Sequence, residues 1–278
     1  METIKYQERD NIGYITFNRP EAGNAINWQM ADELAAWMND LLGNERLELT
    51  TLILTGNGNS FMYGADISAF TKGTKYIDEF TTNARHFMRM LTGIPPVSIA
   101  VVKGYALGGG LEVALSCDYI IASESSKLGL PEINFGLIPG AGGTQLLPQR
   151  VGYHKATEMI LTGRPIDAYQ AKKYGLVDEV TSQDELMRTA RVLVKKGVFK
   201  KRHLRGFDEV PAELAIMNAA KSLTEIISDK PKYAVDAAIE CLRMSISFPD
   251  FLAESKYFDE CIIREETQSR IKSFLKKS

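Results

Sequence analysis

The stretch from Lys103 to Leu147 carries two glycine clusters, each beside a glutamate, and it constrains the chain more than any other. In the first cluster, Gly108, Gly109 and Gly110 lead directly into Leu111-Glu112-Val113-Ala114-Leu115, an apolar run of helical character. The expected local structure is a backbone bend feeding a helix N-terminus. In the second, Leu130-Pro131-Glu132 precedes Gly136, Pro139, Gly140, Gly142 and Gly143. That is too rich in special-conformation residues to be a plain strand or helix. Glycine lets the main chain come close to a bound group, and the free N–H groups of a helix start favour negative charge. A carboxylate beside each cluster is available to move protons.

The rest of the chain supplies a frame for this stretch. Residues 4–18 alternate through Ile12, Tyr14, Ile15 and Phe17, with Asn11-Gly13 as turn chemistry, and predict a hairpin ended by Asn18-Arg19-Pro20. From Asn27, the residues Met30, Leu34, Trp37, Met38 and Leu41 recur at helical spacing, so a helix should run to about Leu42 and stop at Gly43. Thr51 to Thr55 and Val97 to Val102 predict buried strands, with a helix from Thr74 to Leu91 between them. Strands alternating with helices argue for an α/β fold. Beyond Val151 the pattern predicts short helices at 156–161 and 168–174 and a short strand at 177–180. From Glu213 onward it is helical, with segments at 234–244 and 251–275. The mixed body is therefore assigned to 1–195 and the helical region to 196–278, with the change of character at about 190 to 210. Lys195, Lys196, Lys200, Lys201, Arg202, His203 and Arg205 form a basic stretch at that boundary, read first as a solvated face and second as a phosphate contact.

Composition excludes several classes. With 278 residues, 45% of them hydrophobic, the chain can bury a substantial core. A net charge of -2 leaves no footprint for general nucleic-acid binding. Cys117, Cys241 and Cys261 are odd in number and sit in apolar or helical patterns, as expected of reduced thiols in the cytosol. The start lacks a signal-peptide h-region, and the apolar run at 97–102 is too short to span a bilayer, so a soluble cytoplasmic protein is expected. His86, His154 and His203 are isolated, with no ligand spacing, and no metal is expected. The glycine clusters match neither the dinucleotide fingerprint nor the phosphate-loop pattern.

Four segments together resemble the crotonase superfamily, specifically the enoyl-CoA hydratases, over nearly the full length. They are Asn18-Arg19-Pro20 with Asn24-Ala25; Phe61-Met62-Tyr63-Gly64-Ala65-Asp66-Ile67; Gly108-Gly109-Gly110-Leu111-Glu112; and Pro131-Glu132 followed by Gly136 and Pro139-Gly140-Ala141-Gly142-Gly143-Thr144. The resemblance implies an α/β spiral of ββα turns followed by a helical C-terminal region that builds trimers, commonly paired into hexamers. It also implies a 2-enoyl-CoA substrate, with coenzyme A part of the substrate and no separate cofactor. Hydration builds negative charge on the thioester oxygen. The resemblance assigns the two N–H donors for that oxygen to Ala65 and Gly109, and it implies CoA contacts at Ala25, Gly64, Asp66 and Ile67 and a substrate pocket at Tyr63 and Leu137. Glu112 is assigned to orienting and deprotonating the water, and Glu132 to delivering a proton to the α-carbon.

Plainer readings stand beside these. Glu112 also reads as a first-turn glutamate complementing a helix dipole, Glu132 as a surface residue, and Asp66 as an N-cap. The sequence departs from the hydratase pattern at Tyr63, where a small residue is usual, at Ser68, in place of a CoA-contacting lysine, and at Glu21, in place of a basic residue. The phenol is expected to narrow the acyl or pantetheine channel, and the basic stretch to compensate for the lost charges. Rival activities are another acyl-CoA reaction on the same scaffold, isomerisation or hydrolysis, or a non-enzymatic RNA-binding role. Residues 251–277 resemble the end of the hydratase part of multifunctional fatty-acid oxidation proteins, so any coupling to a 3-hydroxyacyl-CoA dehydrogenase is expected to be through a separate partner.

Overall fold

The computed structural model describes residues 1–43, 48–197 and 210–277. Strands β1 (Ile4–Arg9) and β2 (Ile12–Phe17) pair antiparallel, from Ile4↔Phe17 to Arg9↔Ile12. Asp10 and Asn11 make the turn, at φ 55° and 59°, the conformation whose twist suits a two-residue hairpin. The turn thus comes earlier than Asn11-Gly13. Gly13 lies inside β2 opposite Glu8, where an added side chain would press on Leu52 and Tyr6.

Helix α1 (Trp28–Gly43) is capped by the Asn27 side chain, which accepts from the Met30 N–H at 2.9 Å. Strand β3 (Thr51–Gly56), helix α2 (Thr74–Leu91) and strand β4 (Val97–Val102) follow close to the limits expected from hydrophobic spacing. From β4 the chain repeats one unit. A strand in one sheet leads to a short strand in a second sheet and then to a helix: β4, β5 (Tyr105–Leu107), α3 (Gly109–Leu115), then β6 (Tyr119–Ser123), β7 (Lys127–Gly129), α4 (Gly143–Val151) and α5 (Tyr153–Thr162). Strand β8 (Ile166–Asp167), helix α6 (Ala168–Lys173), strand β9 (Glu179–Thr181) and helix α7 (Leu186–Lys196) complete the body. The large sheet runs β1-β2-β3-β4-β6-β9, and every pair after the first hairpin is parallel. The small sheet runs β5-β7-β8 and is extended by single parallel bridges, Met62↔Ala106 and Ile26↔Ala65. This is the expected spiral, each turn adding one rung to each sheet.

Alternation in the parallel strands separates two cores. Leu52, Leu54, Ala100, Val102, Ile120 and Ala122 face the main core beneath α1–α5, whereas Ile53, Ile99, Val101 and Ile121 meet α7 on the other face. Lys195 and Lys196 end α7 on that second face, exposed; the rest of the basic stretch, 200–205, lies outside the described residues.

The C-terminal region holds α8 (Ala212–Ser222), α9 (Lys232–Met244), α10 (Phe251–Ile262) and α11 (Glu265–Leu275). The helix expected over 251–275 is in fact two. Arg264 leaves the helical region (φ -68°, ψ 139°) and starts α11. The tail docks on the body: Gln145 Nε2 donates to Cys241 O and its Oε1 accepts from Asp250 N, while Gln268 donates to Phe70 O. Among the described residues no helix is long and apolar enough to cross a membrane.

Candidate active site

Three of the four motif segments line one cavity of ≈ 120 Å³, and the first braces the second from behind its wall. Asn24 helps close the first segment on the second. It sits buried at φ 58°, its Oδ1 accepts from Arg19 N, and its Nδ2 donates to Asn57 O and Ser60 O. Ile26 then spends both its backbone groups on the next strand: its N–H donates to Gly64 O at 2.7 Å and its carbonyl accepts from Asp66 N at 2.8 Å. In a parallel bridge this pattern turns the intervening residue's own groups away from the ladder. That residue is Ala65. Its N–H makes no hydrogen bond within the described residues, and neither does the N–H of Gly109 at the start of α3. The two are neighbours, since a Cβ built on Gly109 would lie 3.7 Å from Ala65 N.

Glycine is required here by contact as well as by angle. Gly64 (φ 93°) faces Leu107 O and Gly109 N at 2.7 and 3.2 Å from an ideal Cβ, and Gly110 faces Met62 O at 2.3 Å. The first cluster thus packs backbone against backbone and leaves two amides pointing at one volume.

Glu112 and Glu132 both line that volume. Glu112 is buried at 4% exposure. Its Oε1 accepts from the N–H groups of Ala141 (2.7 Å) and Gly143 (2.9 Å), supplied by the second glycine cluster. Burial raises its pKa, against the pull of those N–H donors and of the Arg85 guanidinium. Glu132 opens the 3-10 turn Glu132–Phe135 that follows β7. The residue keeps some exposed surface, but its Oε2 is enclosed with no partner among the described residues. Burial first, and then the Glu112 charge, push it well above the usual carboxylate range. The two environments differ in kind: Glu112 accepts from two amides, whereas at Glu132 burial and the neighbouring charge favour the neutral form.

Of the other expected site residues, Tyr63, Gly64, Ile67 and Leu137 also line the cavity, while Ala25 and Asp66 stand outside its wall. The Ala25 carbonyl accepts from Arg19, and Asp66 caps the turn Ile67–Thr71 through Ser68 while pairing with Arg19 at 3.5 Å. Tyr63 is 47% exposed and stacks edge-on against Tyr105, so its phenol stands at the mouth. The inner wall is made by Phe80, Ala84, Met88 and Phe258, all buried. Among the described residues no group of His, Cys, Asp and Glu is arranged to hold a metal.

Two side chains escaped the sequence reading. Arg85 lines the cavity from α2, donating from Nε to Gly140 O (2.9 Å) and from Nη2 to Asp259 (2.8 Å), over the Phe258 ring. Glu254 on α10 is fully buried and binds the second glycine cluster. A signal for it did exist: Phe258, Cys261 and Ile262, with half-buried Phe251, form the apolar stripe of α10, and Glu254 is a charge on that stripe.

Residues 7–210 match the family model described as Enoyl-CoA hydratase/isomerase. The chain is 40% identical over 190 residues to a probable enoyl-CoA hydratase of Mycobacterium bovis, covering 68% of this chain and 73% of that protein. It is 31% identical to a short-chain-enoyl-CoA hydratase of Clostridium acetobutylicum over 100% of this chain and 96% of the relative. Among solved structures, an enoyl-CoA hydratase from Bacillus anthracis superposes with TM-score 0.67 at 28% identity, over 99% of this chain and 96% of the other. One from Bacillus halodurans shares the fold at TM-score 0.72 and 19% identity, over 98% and 99%.

Proposed function

Since the chain belongs to the enoyl-CoA hydratase/isomerase family, we propose that it adds water across the 2,3 double bond of a 2-enoyl-CoA to give a 3-hydroxyacyl-CoA. The observation that carries this reading is the meeting of two carboxyl groups, Glu112 and Glu132, with two free amides, Ala65 and Gly109, around one cavity. The thioester oxygen accepts from both amides, and the helix starting at Gly109 adds its dipole. Glu112, with Oε1 anchored, orients a water and takes its proton as the oxygen bonds to the β-carbon. The double-bond electrons move onto the thioester oxygen, where the two amides hold the charge. Glu132, kept protonated by its surroundings, delivers a proton to the α-carbon, and the enolate collapses to the product. Each acid or base of this kind is worth about 10²- to 10⁴-fold.

The CoA chain runs past Tyr63 at the mouth, along Ala25, Gly64, Asp66 and Ile67, and no separate cofactor is needed. Exposed Phe248, Leu252 and Ile263 support assembly of the chain into a homotrimer or a dimer of trimers through its C-terminal helices. Three buried free cysteines support a reducing, cytoplasmic setting. The product, a 3-hydroxyacyl-CoA, suits a separate dehydrogenase in β-oxidation. Mass analysis after incubation with crotonyl-CoA tests the activity. Gain of one water with CoA retained supports hydration; an unchanged mass with a moved double bond, or release of free CoA, contradicts it.

A further inference from the structure

Four consecutive amides of the second glycine cluster are shared between two carboxylates in strict alternation. Ala141 N and Gly143 N donate to Glu112 Oε1, whereas Gly142 N donates to Glu254 Oε2 and Thr144 N to Glu254 Oε1 (2.8 Å). The Thr144 hydroxyl also donates to Glu254 Oε1 at 2.6 Å, since it accepts from Gln145 Nε2. Gln145 is in turn fixed by α9 and the start of α10, through Cys241 O and Asp250 N. Gly142 adopts φ 119° to make the alternation possible. Peptide planes are joined through only two dihedrals per residue, so the 142–143 plane, which carries the Gly143 N–H, is restrained from both sides by the planes Glu254 holds, and the 140–141 plane, which carries the Ala141 N–H, is restrained from one side.

We propose that Glu254 is a positioning residue for Glu112. By holding the alternate amides of residues 141–144 from the C-terminal helix, it aims the other two amides at Glu112 Oε1 and leaves the remaining oxygen of Glu112 directed at the cavity. The reading rests on the hydratase assignment for Glu112 but is tested apart from it. The charged groups facing Glu112 are Arg85 from α2, Glu132 from the turn after β7 and Glu254 from α10, with Asp259 of α10 behind Arg85. Glu254 is the one of these that shares the amide ladder with Glu112.

The test is Glu254→Gln, which keeps the volume but sets an amide NH2 against Gly142 or Thr144. Two readouts are taken: kcat and KM for crotonyl-CoA, and hydrogen exchange of the Ala141 and Gly143 amides against the distant core amides of Ile99 and Ile121. The expected result is a fall in kcat of about 10-fold or more with KM within about 2-fold, the signature of a displaced catalytic group. Exchange at Ala141 and Gly143 should be about 10-fold faster, with Ile99 and Ile121 unchanged. Unchanged kcat with unchanged exchange overturns the proposal, and so does exchange that rises equally everywhere, the mark of a merely structural role. If wild type fails to hydrate crotonyl-CoA, the activity assignment falls, and the exchange pattern alone decides for or against Glu254. Should Glu254→Gln not fold, Thr144→Val, which removes only one of the three donors to Glu254, is read in the same way.

Discussion

A methyl group on Gly109 would rest 3.5 Å from Ile26 Cδ1 and 3.7 Å from Ala65 N, ordinary contact distances, whereas one on Gly110 would lie 2.3 Å from Met62 O. The two alanine variants therefore separate function from folding. Gly109→Ala should keep its melting temperature within about 2 °C, a change of no more than about 1 kcal/mol, yet lose about 10²- to 10³-fold in kcat because the methyl intrudes where the oxyanion sits. Gly110→Ala should be poorly folded, which thermal melts will show. Tyr63, half exposed at the mouth, should act on binding: Tyr63→Ala should raise KM several-fold with kcat and acyl-length preference nearly unchanged, as measured on crotonyl- and decenoyl-CoA. At this scale the sequence was informative where chemistry is carried by residue type. Glu112, Glu132 and the glycines stand out in it, and Asp66 reads correctly as a cap. Arg85 does not stand out, because its role arises from contacts between segments far apart in the chain, and Glu254 stands out only as a charge on the apolar stripe of α10.

Helix α10 carries a buried carboxyl whose titration should be visible in stability. Glu254 is pushed from the ordinary 4.5 up to about 8, by burial first and then by the Glu112 charge, against the three donors that bind it. The folded protein holds this proton more tightly than the unfolded chain does. Its stabilising contribution is therefore complete below the unfolded value near 4.5 and is lost as pH rises through about 8. Glu112 and Glu132, also raised, act in the same direction. Melting temperature should accordingly fall from about pH 5 to about pH 9, and the fall should be shallower in Glu254→Gln; a flat or rising profile in wild type would refute the raised titration of Glu254. Elements were legible in proportion to their length. Helix α2 and strand β4 have the limits that hydrophobic spacing gives them. Strands β5, β7 and β8, at three residues or two, are too short to show a period. Helix α4 was hidden by its glycine start and by Pro148 within it, a residue tolerated there in spite of its missing N–H.

The whole molecule is a spiral body with a helical region folded back onto the site that the body builds. Its early alternation of strands and helices and its helical end were readable, and the resemblance to hydratases supplied the spiral. The docking of α10 on the second glycine cluster was not readable, since nothing local in 251–262 records what Glu254 will meet. In the same region the apolar side chains Phe248 (82%), Leu252 (68%) and Ile263 (63%) are exposed. Sedimentation should give a mass of three times 30.9 kDa or its double, and Leu252→Glu should shift it toward the single chain. The most direct measurement is crotonyl-CoA hydration, followed by loss of enoyl-thioester absorbance, in wild type beside Glu112→Gln and Glu132→Gln. A fast wild type with both variants down by at least about 10²-fold is the expected result. A wild type that binds acyl-CoA without hydrating it, or either variant retaining full activity, would contradict the two-glutamate mechanism.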